Sequence, residues 1–196
     1  MAVQNVRHIA PFINTVFTVT SEWWVIRWGT LHRGLDIATG HNDPVYSMLN
    51  GYVVDKGYTS TAGNYIIIAD DNPGSEYFGY ATRYLHFDDP SPLNINDRVL
   101  AGQQVGIEGS TGEGVTGIHL HVEMQNIKLW AWHWHSSNVK RDYLDPTIFM
   151  GIDNIQGTQW YYDGVPIPPT TVAKRKPFPW YIAIKKKAQK RLLINY

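Results

Sequence analysis

The chain has 196 residues, 43% of them apolar, with 17 basic and 17 acidic side chains and no cysteine. That length suits one folded domain with an appendage, or two small domains, and the composition excludes disordered, collagen-like and coiled-coil classes. Without cysteine there is no disulfide framework and no thiolate metal site, so any metal must be held by His, Asp or Glu.

The first ten residues, MAVQNVRHIA, lack the charged-then-apolar layout of a signal peptide, and no run approaches about 18 apolar residues. Neither a leader nor a transmembrane segment is expected. Short runs rich in β-branched and aromatic residues follow at 16–20, 51–54, 64–69, 81–85 and 119–124, most of them bounded by Gly, Asn, Asp, Ser or Pro. This predicts an all-β main domain, with strands and turns alternating as in sandwiches and barrels. No 3.6-residue period is convincing before Trp180. Segments 49–57 and 99–109 both read as a short apolar strand among glycines, a faint internal repeat.

Two later segments stand apart. Residues 130–135, WAWHWH, alternate so that Trp130, Trp132 and Trp134 share one face while His133 and His135 share the other. The reading is an aromatic strand packed on one side, with an exposed lip for substrate as its functional alternative. From Gly164 onward there is no acid, and there are eight bases: Lys174, Arg175, Lys176, Lys185, Lys186, Lys187, Lys190 and Arg191. The rest of the chain therefore carries a balance of −8 against +8 for the tail, an asymmetry that points to different partners or to a tail lying on its own body. Prolines at 166, 168, 169, 177 and 179 mark the boundary. A main domain is placed at residues 1–150, and a Pro-rich linker with a basic accessory segment at 151–196.

The chemistry lies in the histidines. His32 and Asp36 stand four apart, with Gly34 between them and the following Ile-Ala-Thr-Gly favouring a loop that enters a strand. His119 and His121 alternate, which on a strand points both imidazoles to one side. Tyr84-Leu-His86 ends another apolar run. Two His nitrogens and one Asp oxygen suffice for a catalytic zinc with a fourth position open. Taken singly, each pattern is also what chance and ordinary core histidines produce.

In order and separation, these motifs resemble the lysostaphin/LytM-type zinc metallopeptidases, which cut peptide links in bacterial peptidoglycan. The similar stretch runs from about Ser21 to Pro146. It includes HRGLDIATG, PVYSMLNGYVVDKG, GNYIIIAD, YLH and the glycine-rich VLAGQQVGIEGSTGEGVTGIHLHVEM. The resemblance implies that His32, Asp36 and His121 bind zinc and that His119 and His86 form the catalytic pair that does not ligate it. Zinc would activate water and polarise the scissile carbonyl; His119 would be the general base, and His86 would stabilise the oxyanion or share the proton work. The implied fold is a compact, mostly antiparallel β domain similar to the barrel-sandwich hybrid of biotinyl and lipoyl carriers, although no lysine sits at a hairpin tip as a carrier requires.

The sequence also departs from the family. Its usual Ser-x-x-Gly-x-Arg approach is only loosely echoed by residues 21–27, and Trp23, Trp24 and Trp28 stand where smaller residues are usual. The expected partner is a bacterial peptidoglycan peptide, with the cleaved linkage left open and no nucleic acid. The basic segment is a solvated end or contacts anionic wall polymers or virion proteins. The expected place of action is the bacterial cell wall, reached as a virion component or by release during phage lysis. The rival readings are a wall-binding or tail-structural protein that keeps the fold without turnover, and a zinc amidase or deacetylase.

Overall fold

The computed structural model describes residues 2–70, 72–126 and 143–166. The WAWHWH segment and all eight tail bases lie outside them. In chain order the strands are β1 (Gln4–Asn5), β2 (Val16–Ser21), β3 (Ile26–Arg27), β4 (Thr30–Leu31), β5 (Leu35–Ala38), β6 (Pro44–Tyr46) and β7 (Gly51–Thr59). They continue with β8 (Gly63–Ala69), β9 (Tyr80–Phe87), β10 (Arg98–Val99), β11 (Gln104–Ile107), β12 (Leu120–Asn126), β13 (Tyr143–Leu144) and β14 (Gln159–Tyr161).

The main sheet runs β1-β14-β2-β5-β12-β9-β8-β7-β10, with β13 added to β12, and does not close on itself. Every pairing in it is antiparallel except β1 with β14. The expected all-β, mostly antiparallel class is what the chain adopts. Alternation explains β2, where Phe17 and Val19 are buried while Val16 and Thr20 face out. The continuous apolar run of β8 has a different cause, because the strand is covered on both faces. Ile66 and Ile68 join the large core with Phe17, Ile37, Tyr84 and Leu120, and Tyr65 and Ile67 join a smaller cluster with Tyr52 and Leu85.

The sheet extends past residue 150, where the sequence places the domain boundary. β14 pairs with β2, and Trp160 is buried in the main core. A three-residue strand carries too little alternation to be read from sequence. One helical turn, α1 (Pro146–Met150), also appears where no periodicity announced it. Its signals are local: the Asp145 side chain accepts from the Thr147 N–H, Pro146 opens the turn, and Gly151 closes it with φ 67°. The two halves of the faint repeat are neighbours, since Gly51 of β7 pairs with Val99 of β10.

Candidate active site

Three adjacent central strands, β5, β12 and β9, carry or adjoin the histidine motifs. Asp36 on β5 is the direct partner of His121 on β12, and His121 is also opposite Leu85 on β9. His32 lies in the approach to β5. Its Nδ1–H donates to the Glu22 carbonyl at 2.7 Å, which leaves Nε2 aimed at Asp36 and His121. His32 Nε2 is 3.1 Å from Asp36 Oδ1 and 3.0 Å from His121 Nδ1, and His121 Nδ1 is 2.7 Å from Asp36 Oδ1. All three side chains are buried, and their donor atoms lie within 4.8 Å of one another.

This set fits a zinc ion. Tetrahedral ligands at about 2.1 Å from zinc stand about 3.4 Å apart, so donors at 2.7–3.1 Å need to separate by only a few tenths of an ångström. Each donor is also braced from behind, as metal ligands usually are. His121 Nε2–H donates to Glu123 Oε1 at 3.3 Å, and Glu123 is ion-paired with the buried Arg83 guanidinium. Asp36 Oδ2 accepts from Arg27 Nη1 at 2.8 Å.

Charge follows from this packing. Burial opposes ionisation of Asp36, but hydrogen bonds from His121 and His32 outweigh it and hold the carboxyl well below its usual range. Burial likewise disfavours a charged His121, yet Asp36 and Glu123 override it and raise its pKa to about 9. Glu123 is lowered to about 2 because Arg83 and His121 outweigh its burial.

Two further imidazoles face the same place. His86 has φ 68°, rare for a side-chain-bearing residue, beside a register shift between β8 and β9. Its Nδ1–H donates to the Thr111 carbonyl at 2.9 Å, and its ring centroid is 4.9 Å from that of His119. His119 precedes β12 in an isolated bridge to Gly109. It donates Nδ1–H to the Gly117 carbonyl at 2.9 Å and holds Nε2 at 3.9 Å from Asp36 Oδ1. In the neutral form of either ring, this places the lone pair on Nε2. Burial, then the neighbouring His121 and His119, lower the His86 pKa to about 4, so this ring is neutral near pH 7.

All five histidine and aspartate positions read from the sequence thus meet in one place. Among the described residues, Glu123, Arg83 and Thr111 support the site without any signal in the local sequence. Their contributions come from cross-strand and loop contacts that short spacing cannot carry. The site opens into a cleft of about 460 Å³ lined by Trp28, Thr61, Glu113, Val115 and Ile118 as well as His86 and His119. A second cleft of about 500 Å³, with Arg33, Arg83, Leu31 and Tyr143 in its walls, shares Arg27, Trp28 and His121 with the first. Trp28, 89% exposed, stands on the border between them.

The model of peptidase family M23 matches residues 30–140, more than half of the chain. The chain belongs to peptidase family M23. Its M23 domain is 39% identical over 93 residues to the peptidoglycan DD-endopeptidase ShyA of Vibrio cholerae serotype O1, covering 47% of this chain and 20% of that protein. The chain spans about one fifth of the length of the curated relatives it matches. A zinc-containing peptidase from Vibrio cholerae has a similar structure at 27% identity, with a TM-score of 0.54 over 76% of this chain and 41% of that one. Lysostaphin from Staphylococcus simulans shares the fold at 23% identity, with a TM-score of 0.57 over 75% of this chain and 54% of that one. Membership makes this a zinc-metallopeptidase-type domain.

Proposed function

We propose that the domain hydrolyses a peptide bond of bacterial peptidoglycan, with zinc held by His32 Nε2, Asp36 Oδ1 and His121 Nδ1. The observation that carries this reading is the convergence of three braced donors with two neutral-capable imidazoles whose Nε2 atoms face the same cleft. Zinc, when bound, supplies Lewis acidity to the water and to the scissile carbonyl. His119 takes the water proton on Nε2 and passes it to the leaving amine. His86, with Nδ1–H committed to the Thr111 carbonyl, is a weak proton acceptor near pH 7; its Nε2 lone pair orients the water or the leaving N–H. In that tautomer Nε2 accepts hydrogen bonds and donates none to an oxyanion.

ShyA is named a peptidoglycan endopeptidase, which supports the substrate class and, with it, action at the cell wall. No helix among the described residues is long and apolar enough to cross a membrane. The basic tail is assigned to anionic wall polymers, through the eight bases after Gly164. Delivery by a phage particle or lysis system remains the setting expected from sequence and adds no step to the chemistry. The test is release of new amino termini from purified sacculi. Release that stops with a zinc chelator and returns with zinc supports the reading, whereas release indifferent to the chelator rejects it.

A further inference from the structure

The two oxygens of Asp36 are used differently. Oδ1 faces His32 and His121, whereas Oδ2 accepts a hydrogen bond from Arg27 Nη1 at 2.8 Å. The guanidinium therefore occupies the oxygen through which a carboxylate would otherwise make a second bond to a cation. Local backbone geometry delivers it there. β3 and β4 pair Arg27 with Thr30, leaving a two-residue turn in which Trp28 has φ 48° and Gly29 has φ 75°. Positive φ at both residues is what the tightest hairpin turn requires. Glycine meets that at no cost, but Trp28 does so under strain while 89% exposed. Its ring lies 5.7 Å from Arg27 Cζ, so the same guanidinium that reaches Asp36 also lies over the indole at the tip of the turn.

We propose that Arg27 is a positioning residue that fixes Asp36 as a one-oxygen metal donor and keeps the remaining coordination space open toward the cleft. The inference rests on the metal assignment above and not on the substrate. It also makes a prediction opposite in sign to that of simple charge. A cation beside the site repels a dication, so neutralising it tightens zinc binding if charge is its only contribution. If Arg27 holds the carboxylate in place, neutralising it weakens binding.

The test compares zinc affinity and the cobalt-substituted visible spectrum of the full chain for wild type, Arg27→Gln and Arg27→Lys. Arg27→Gln is expected to bind zinc about 10- to 100-fold more weakly. Its cobalt bands should also weaken and shift as the carboxylate takes a second bond, with kcat falling more than KM rises. Arg27→Lys, which keeps a donor and the charge, recovers most of the affinity and the spectrum. Zinc binding by Arg27→Gln that equals or exceeds wild type, with an unchanged cobalt spectrum, overturns the proposal. Arg27→Ala serves with the same criteria where Arg27→Gln fails to fold. Affinity and cobalt spectra need no substrate, so an error about peptidoglycan leaves this test intact.

Discussion

Gly34 is the most sensitive position next to the candidate metal site. A methyl built on it would lie 2.4 Å from His121 Nε2, 2.6 Å from its Cε1 and 2.7 Å from the Val122 carbonyl oxygen. Ordinary contacts begin near 3.4 Å, so Gly34→Ala requires a shift of about 1 Å. β12 cannot easily supply it, since β5 and β9 pair with it on both sides. The His121 ring must give instead, although it is held at 2.7 Å by Asp36 and at 3.3 Å by Glu123. A displacement of about 1 Å is roughly five times the ±0.2 Å tolerance of metal–ligand distances. A misplacement of that size costs about 100-fold in rate. Overpacking at such a site costs a further 1–3 kcal/mol or so of stability. Zinc affinity by chelator competition should therefore fall at least about 100-fold, and turnover with it. Gly74→Ala, where the nearest atom to the new methyl is 3.5 Å away, is the control. Affinity and turnover in Gly34→Ala within about twofold of wild type would refute this reasoning.

Further predictions concern protons and metal. In the zinc-free domain His121 is raised from 6.5 to about 9, so near pH 7.5 zinc must displace its proton. Calorimetry in buffers of different ionisation enthalpy should show about one proton released and affinity falling as pH drops; an identical enthalpy in every buffer contradicts this. The same raised pKa stabilises the zinc-free fold fully below pH 6.5, and that contribution is lost as pH rises through 9. His86 has the opposite sign. The unfolded chain takes up its proton near pH 6.5, while the folded site resists until about 4, so zinc-free stability falls by about 3 kcal/mol across that window. His86→Gln should flatten that slope in denaturation curves at several pH values, and an unchanged slope removes the assignment. Zinc at about 100 times its dissociation constant should add about 2.7 kcal/mol, or about 5–10 °C in Tm. An unmoved Tm argues against a zinc site in the native fold.

What could be read from the sequence was what short spacing encodes. His32 and Asp36, His119 and His121, and Tyr84-Leu-His86 each place a donor or base relative to its own strand, and the sheet register then brings them together. The residues that brace them are separated in sequence. Thr111 reaches His86 across 25 positions, and Arg83 reaches Glu123 across 40. Glu123 lies two residues from His121 but becomes meaningful only once Arg83 is seen beside it. Arg27 sat in the loosely matching 21–27 segment, and its contact with Asp36 depends on a turn whose first residue is a tryptophan. Likewise, the short strands β1 and β14 at one end of the sheet and the single turn of α1 are too short to imprint a period.

The proposed function has this M23 domain cut peptidoglycan peptides with His119 as base beside a bound zinc. Mass spectrometry of purified peptidoglycan digested by wild type and by His119→Ala, with zinc measured on both proteins, tests it most directly. New peptide termini are expected from wild type, with a loss of about 10²- to 10⁴-fold in the variant and full zinc in both. Undiminished cleavage by zinc-loaded His119→Ala, or no cleavage of any wall type by zinc-loaded wild type, would contradict it.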